Sequence, residues 1–155
     1  MTVNKARVYD EVAKTASYSG QKRTTADDDA YNRMFPTDAD RLMLERYWNE
    51  TCEAATGALS PLMSAVSTQT VHPGVDLDTS SEGQYSITLA TSNSYDTNLT
   101  SSLQVDLFTY FVEAILAKWY TLAQPTEVEG TVTNAAAAME NILRKLYRRK
   151  APSRS

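Results

Sequence analysis

The sequence is poor in the residue types that most often carry chemistry. Among 155 residues there is one cysteine, Cys52, and one histidine, His72. A lone cysteine forms no disulfide within its own chain, which suits a protein made and kept in a reducing cytosol. Two Cys and His residues fall short of the roughly four ligands that a structural zinc site takes, so that class is excluded. A Ser-His-Asp or Cys-His triad would have to use His72 itself. Its setting, Val-His-Pro-Gly, is that of a loop or strand residue and carries no catalytic motif. The five glycines are scattered singly, so there is no glycine-rich phosphate cradle. No apolar run approaches the roughly 20 residues that cross a bilayer. The opening "MTVNKARVYDEVAK" has no apolar h-region, so a cleaved secretion signal is not expected.

The acidic clusters are equally unspecific. Asp76, Asp78, Ser80 and Glu82 alternate like the start of a calcium loop. An EF-hand needs Gly at its sixth position and Glu at its twelfth, and Ser81 and Ile87 stand there instead, so a solvated hairpin turn is expected. Asp27, Asp28 and Asp29 place negative charge at the start of a short helix running to Phe35, where the helix dipole favours it. A metal or basic-partner site is the functional alternative for that triplet. Nothing selects a pair of carboxylates for acid–base work. The expectation is a non-enzyme with no catalytic residue, no metal and no cofactor.

What the sequence does have is helical periodicity and an uneven charge distribution. Thr37 after Pro36 is a good N-cap, with Asp38 and Asp40 in the first turn. From there Leu44, Trp48, Cys52, Ala55, Leu59, Leu62 and Val66 recur at helical spacing. Pro61 presses on the carbonyl of Gly57, which predicts a kink or split. "QYSITLAT" alternates, with Tyr85, Ile87 and Leu89 on one face, and predicts a half-buried strand whose partner lies within 68–78. A second helix carries Leu103, Leu107, Phe111, Ile115, Trp119 and Leu122, flanked by Phe108, Val112, Leu116 and Tyr120. Apolar groups cover more than half of its circumference, which places it at the centre of a core or between subunits. The third helix starts from Thr126 and Glu129 as a capping box and continues through Val128, Val132, Ala135, Met139, Ile142 and Leu146. It is expected to form an antiparallel hairpin with the second.

The predicted fold is mainly α: a helical bundle of three long helices with one inserted β-hairpin and an extended N-terminal arm. Residues 1–35 form the arm with short helices, in which Val8 and Val12 give only a narrow apolar face. Residues 36–148 form the helical domain, with the hairpin at about 68–91, and residues 149–155 form a basic tail.

Net charge is −4, but six cations (Arg144, Lys145, Arg148, Arg149, Lys150 and Arg154) fall after the last acid, Glu140. The rest of the chain has nine basic against nineteen acidic residues, a net −10. An acidic body with a basic tail indicates an interaction segment. Arg144, Lys145 and Arg148 are also explained by the C-terminal end of a helix dipole, whereas Arg149, Lys150 and Arg154 lie at or beyond its end. Nine tyrosines and two tryptophans offer candidate interface aromatics in Trp48, Trp119, Tyr120 and Tyr147. For Trp48 and Trp119, ordinary core packing is the competing explanation.

The order helix, hairpin, two helices, with "YSITLATSNSYDTNLTSSLQVDLFTYFVEAILAKWYTLAQP" running into "AAAAMENILRKLYRRKAP", resembles the helical head–tail connector (adaptor) proteins of tailed bacteriophages. The resemblance covers roughly residues 37–152. It implies a structural virion protein at the head–tail junction, made in the host bacterial cytoplasm. Its subunits would form a homo-oligomeric ring that meets the portal protein and tail or other connector proteins, with the phage DNA passing through and no membrane involved. The basic tail would meet a neighbouring acidic subunit or, non-specifically, the passing genome. The long N-terminal segment departs from small members of that family. The alternative from another class is a small nucleic-acid-binding or regulatory protein that uses its basic C-terminal tail.

Overall fold

The computed structural model describes residues 1–21, 35, 37–67, 83–89, 99–123 and 125–147. In chain order these form strand β1 (Thr2–Asn4), helix α1 (Lys5–Gln21), helix α2 (Asp38–Leu59), strands β2 (Met63–Ser67) and β3 (Gln84–Leu89), helix α3 (Thr100–Ala123) and helix α4 (Val128–Tyr147). The described residues are mainly helical and include one small antiparallel sheet in the order β1-β3-β2.

The N-terminal residues differ from the extended arm expected of them. Asn4 caps α1 by accepting a hydrogen bond from Arg7 N at 3.1 Å. The helix then runs for 17 residues, longer than the short helices expected of this segment. Its narrow apolar face widens because small residues complete it: Val8, Val12 and Ala16 recur every four positions, Tyr9 and Ala13 lie beside them, and all five are buried. The helix packs on α3, and β1 pairs with β3 in the register Thr2↔Ser86, Val3↔Tyr85, Asn4↔Gln84. Strand β1 and helix α1 as far as Ala16 thus contribute to the core. The helix expected to run to Phe35 lies outside the described residues, but Phe35 itself is buried. Its ring meets Trp119 edge-on at 4.9 Å, and its carbonyl accepts from Arg41 Nε at 3.0 Å.

Helix α2 begins as the sequence indicates, with Thr37 Oγ1 accepting from Asp40 N at 3.2 Å. Leu44, Trp48, Cys52, Ala55 and Leu59 are all fully buried. Beyond them the periodic pattern misleads. Pro61 sits in a 3-10 turn, Ser60–Leu62, that ends the helix, and Val66 belongs to β2. On its other edge β3 pairs with 63–67, whereas the sequence places the partner within 68–78, which lies outside the described residues. Val66 pairs with Ile87 and Ser67 with Ser86, with an irregularity between Met63 and Ala65.

Helix α3 is the central element, touching α1, α2, α4 and β1, as its broad apolar surface requires. Phe111 is its hub: Trp48 of α2 lies 5.0 Å away and Tyr85 of β3 5.2 Å, between ring centroids. Helix α4 packs antiparallel along α3 through Ala135, Ala138, Ile142 and Leu146. It starts at Val128 after a 3-10 turn, Pro125–Glu127, so its α-helical onset falls two residues after Thr126.

Candidate interaction surface

One polar cluster lies inside the core. Lys5 and Glu45 form an ion pair with both side chains fully buried, and Tyr9 Oη donates to Glu45 Oε2 at 3.1 Å. The Lys5 ammonium also stands 5.6 Å from the Tyr9 ring centroid, in cation–π range. Lys5 N donates to Gly83 O at 3.1 Å, and Gly83 has φ 123°, a conformation that favours glycine. The cluster joins the start of α1 to the middle of α2 and to the entry of β3. Cys52 is buried near this pair. Burial first, and the Glu45 carboxylate second, push its thiol far above the ordinary range, so it stays protonated and inert as a nucleophile. The geometry suits a structural clasp.

The outer edge of β1 is closed by a side chain. Gln104 of α3 accepts from Thr2 N at 3.0 Å and donates from its amide to Thr2 O, in the manner of an added strand residue. An edge occupied this way offers less to a passing strand.

The flank formed by α2, α3 and α4 is open. A groove of about 350 Å³ runs there, lined by Glu50, Thr51 and Ala54, by Tyr110, Ala114, Ala117, Lys118 and Thr121, and by Val128, Val132 and Ala135. Thr51 and Thr121 donate their hydroxyls to carbonyls of their own helices, Tyr47 O at 2.7 Å and Ala117 O at 2.8 Å. The floor therefore makes few demands for hydrogen bonds. Val132 is 51% exposed at its wall, and Lys118 pairs with Glu50 at 2.9 Å across its rim. Beside it, Glu113 on α3 is pushed above the ordinary carboxylate range by burial, against the opposing hydrogen bond from Asn134.

The residues singled out from the sequence fall in different places. Trp48 and Tyr120 are core residues, 0% and 2% exposed, and so are not available to a partner. Trp119 is half-buried against Phe35. Tyr147 ends α4, and its side chain lies outside the described residues. Of the six cations, Lys145 is tied to Asp106 Oδ2 at 2.6 Å and to Ser102 on α3. Arg144 is exposed and reaches Asn141 Oδ1 at 3.4 Å. Arg148, Arg149, Lys150 and Arg154 lie outside the described residues, as do His72, the Asp27 triplet and the series Asp76, Asp78, Ser80 and Glu82. Among the described residues no group of three or more His, Cys, Asp or Glu is placed to hold a metal ion. No described helix is long and apolar enough to cross a membrane. The clasp, the closed edge and the groove were not visible in the sequence, because each joins elements far apart in the chain.

Compared with known proteins, the chain matches no family model, no curated protein and no solved structure.

Proposed function

We propose that the chain is a structural subunit of a tailed-phage virion, a head–tail connector that assembles into a ring between portal and tail through which the genome passes. The observation that carries this reading is the element order. Helix α2, the β2–β3 pair and the α3–α4 hairpin follow one another as in the family that residues 37–152 resemble. Two further features support it. The chain leaves a groove with an exposed valine open on one flank after packing its own core, and the sequence sets a basic tail against an acidic body. The protein acts by assembly, without a catalytic residue or cofactor.

The rival is a nucleic-acid-binding protein that uses the same tail. Asp106 holds Lys145 in an ion pair, so at least one of the six cations serves the chain's own α3–α4 packing, which supports the structural reading over a tail given wholly to phosphates. Size-exclusion chromatography with light scattering, beside a labelled-DNA shift assay, separates the two. A stable oligomer is the expected result. A monomer that shifts DNA in a salt-dependent manner overturns the proposal.

A further inference from the structure

We propose that the outer edge of β1 is a gated site for an extended acidic peptide, which adds to the sheet beside β1 after displacing the Gln104 side chain. The proposal goes beyond the ring reading and does not depend on it.

The backbone is the first argument. Strand β1 lies at an edge of the order β1-β3-β2. Met1 exchanges both backbone bonds with Ile87, and Lys5 N donates to Gly83 O. Thr2, opposite Ser86, therefore turns its amide and carbonyl away from β3. Both are held by one side chain, the Gln104 amide. That amide carries the same donor and acceptor as a peptide unit. An incoming strand replaces its two bonds one for one while Gln104 turns to water, so the exchange costs little in hydrogen bonding. The edge is closed at rest and opens by rotation of a single side chain, and strand addition is the mode of recognition it offers.

The pocket along this edge is the second argument. It has a volume of about 480 Å³ and is bounded by β1, the first turn of α1 and the start of α3. Its α3 wall presents Val105, which is exposed, and Phe108, which is partly buried. Covering these two supplies the apolar gain that exchanged hydrogen bonds do not. Arg7 is the single charged residue among the described residues that line the pocket. Its side chain forms no ion pair among the described residues. The first turn of α1 carries no acid, so the helix dipole adds to the attraction of Arg7 for an anion. In a chain with nineteen acids, a pocket with a cation and no acid selects an anionic occupant. Alternate side chains of an added strand face the same way. A segment with apolar residues at every second position and an acid at its end thus matches both the α3 wall and Arg7.

The test titrates the full chain into a fluorescently labelled peptide, Asp-Thr-Val-Thr-Val-Asp, blocked at both ends and acidic at both so that either strand direction is covered. Saturable binding is expected by anisotropy, with slower amide exchange along β1 in the complex. Gln104→Ala is expected to tighten binding at least threefold, because the competitor for Thr2 is gone. Arg7→Glu, or lysine in place of both aspartates of the peptide, is expected to weaken it at least fivefold. Gln104→Ala is the discriminating variant, since truncating an ordinary contact residue would weaken binding. No saturation with the Gln104→Ala chain, an affinity that this variant leaves unchanged or lowers, or equal binding of the lysine peptide overturns the proposal. Val105→Ser leaves the bonds of Thr2 in place and serves as a second variant. It is expected to weaken binding at least threefold, and binding indifferent to it also overturns the proposal.

Discussion

Lys5 and Glu45, forty positions apart, meet as an ion pair from which solvent is fully excluded, with the Tyr9 phenol on the same carboxylate oxygen. The pair fixes the N-terminal strand and helix onto α2. Removing one partner leaves the other charge buried alone, which costs about 3–5 kcal/mol, whereas replacing both with apolar groups of similar size is close to neutral. Lys5→Met and Glu45→Leu are each expected to destabilise on that scale and to be less than additive when combined. Urea denaturation of the four proteins of the cycle checks this. Additive losses would mean that the two groups do not stabilise each other.

Phe111 packs between Trp48 and Tyr85, so truncating it empties the junction of helix and sheet. Phe111→Ala is expected to cost about 3–5 kcal/mol. Val105→Ala, at a site 63% exposed on the same helix, is expected to stay within about 0.5 kcal/mol. Thermal or urea unfolding of the two variants measures the contrast.

Gln104 holds both the amide and the carbonyl of Thr2. Gln104→Glu keeps an acceptor for Thr2 N but loses the donor to Thr2 O and sets a carboxylate against a carbonyl. A loss of about 1 kcal/mol is expected, together with faster amide hydrogen exchange along β1. Unchanged exchange would show that the side chain does not secure that edge.

Burial raises the Glu113 carboxyl above its ordinary range. The folded protein therefore binds that proton more tightly than the unfolded chain, and stability declines as pH rises between the ordinary and the raised value. Glu113→Gln, which keeps a hydrogen-bonding group beside Asn134, is expected to be more stable than the parent at neutral pH. The gap should close as pH falls below the ordinary glutamate range. Chemical unfolding at pH 7 and at low pH reads the difference.

The sequence discloses the long helices because their apolar residues repeat with the helical period and Thr37 marks a start that the structure keeps. It misplaces β2 for a physical reason. Leu62 and Val66 continue the spacing of Leu59, and only pairing with β3, across a connection of some length, makes that stretch extended. Helix α1 is underestimated because alanines supply much of its buried face, and alanine is a weak signal of burial. Trp48 and Tyr120 illustrate the converse. An aromatic on an apolar stripe looks the same whether the stripe faces a core or a partner, and here both face the core. The Lys5–Glu45 clasp and the groove depend on which elements meet in space, and no local pattern in the sequence carries that.

Assembly is the central claim, and native mass spectrometry of the full chain tests it most directly. One dominant species at a fixed multiple of 17.2 kDa is expected, persisting on dilution as a closed ring does. A spectrum showing only the 17.2 kDa monomer at every concentration would contradict it.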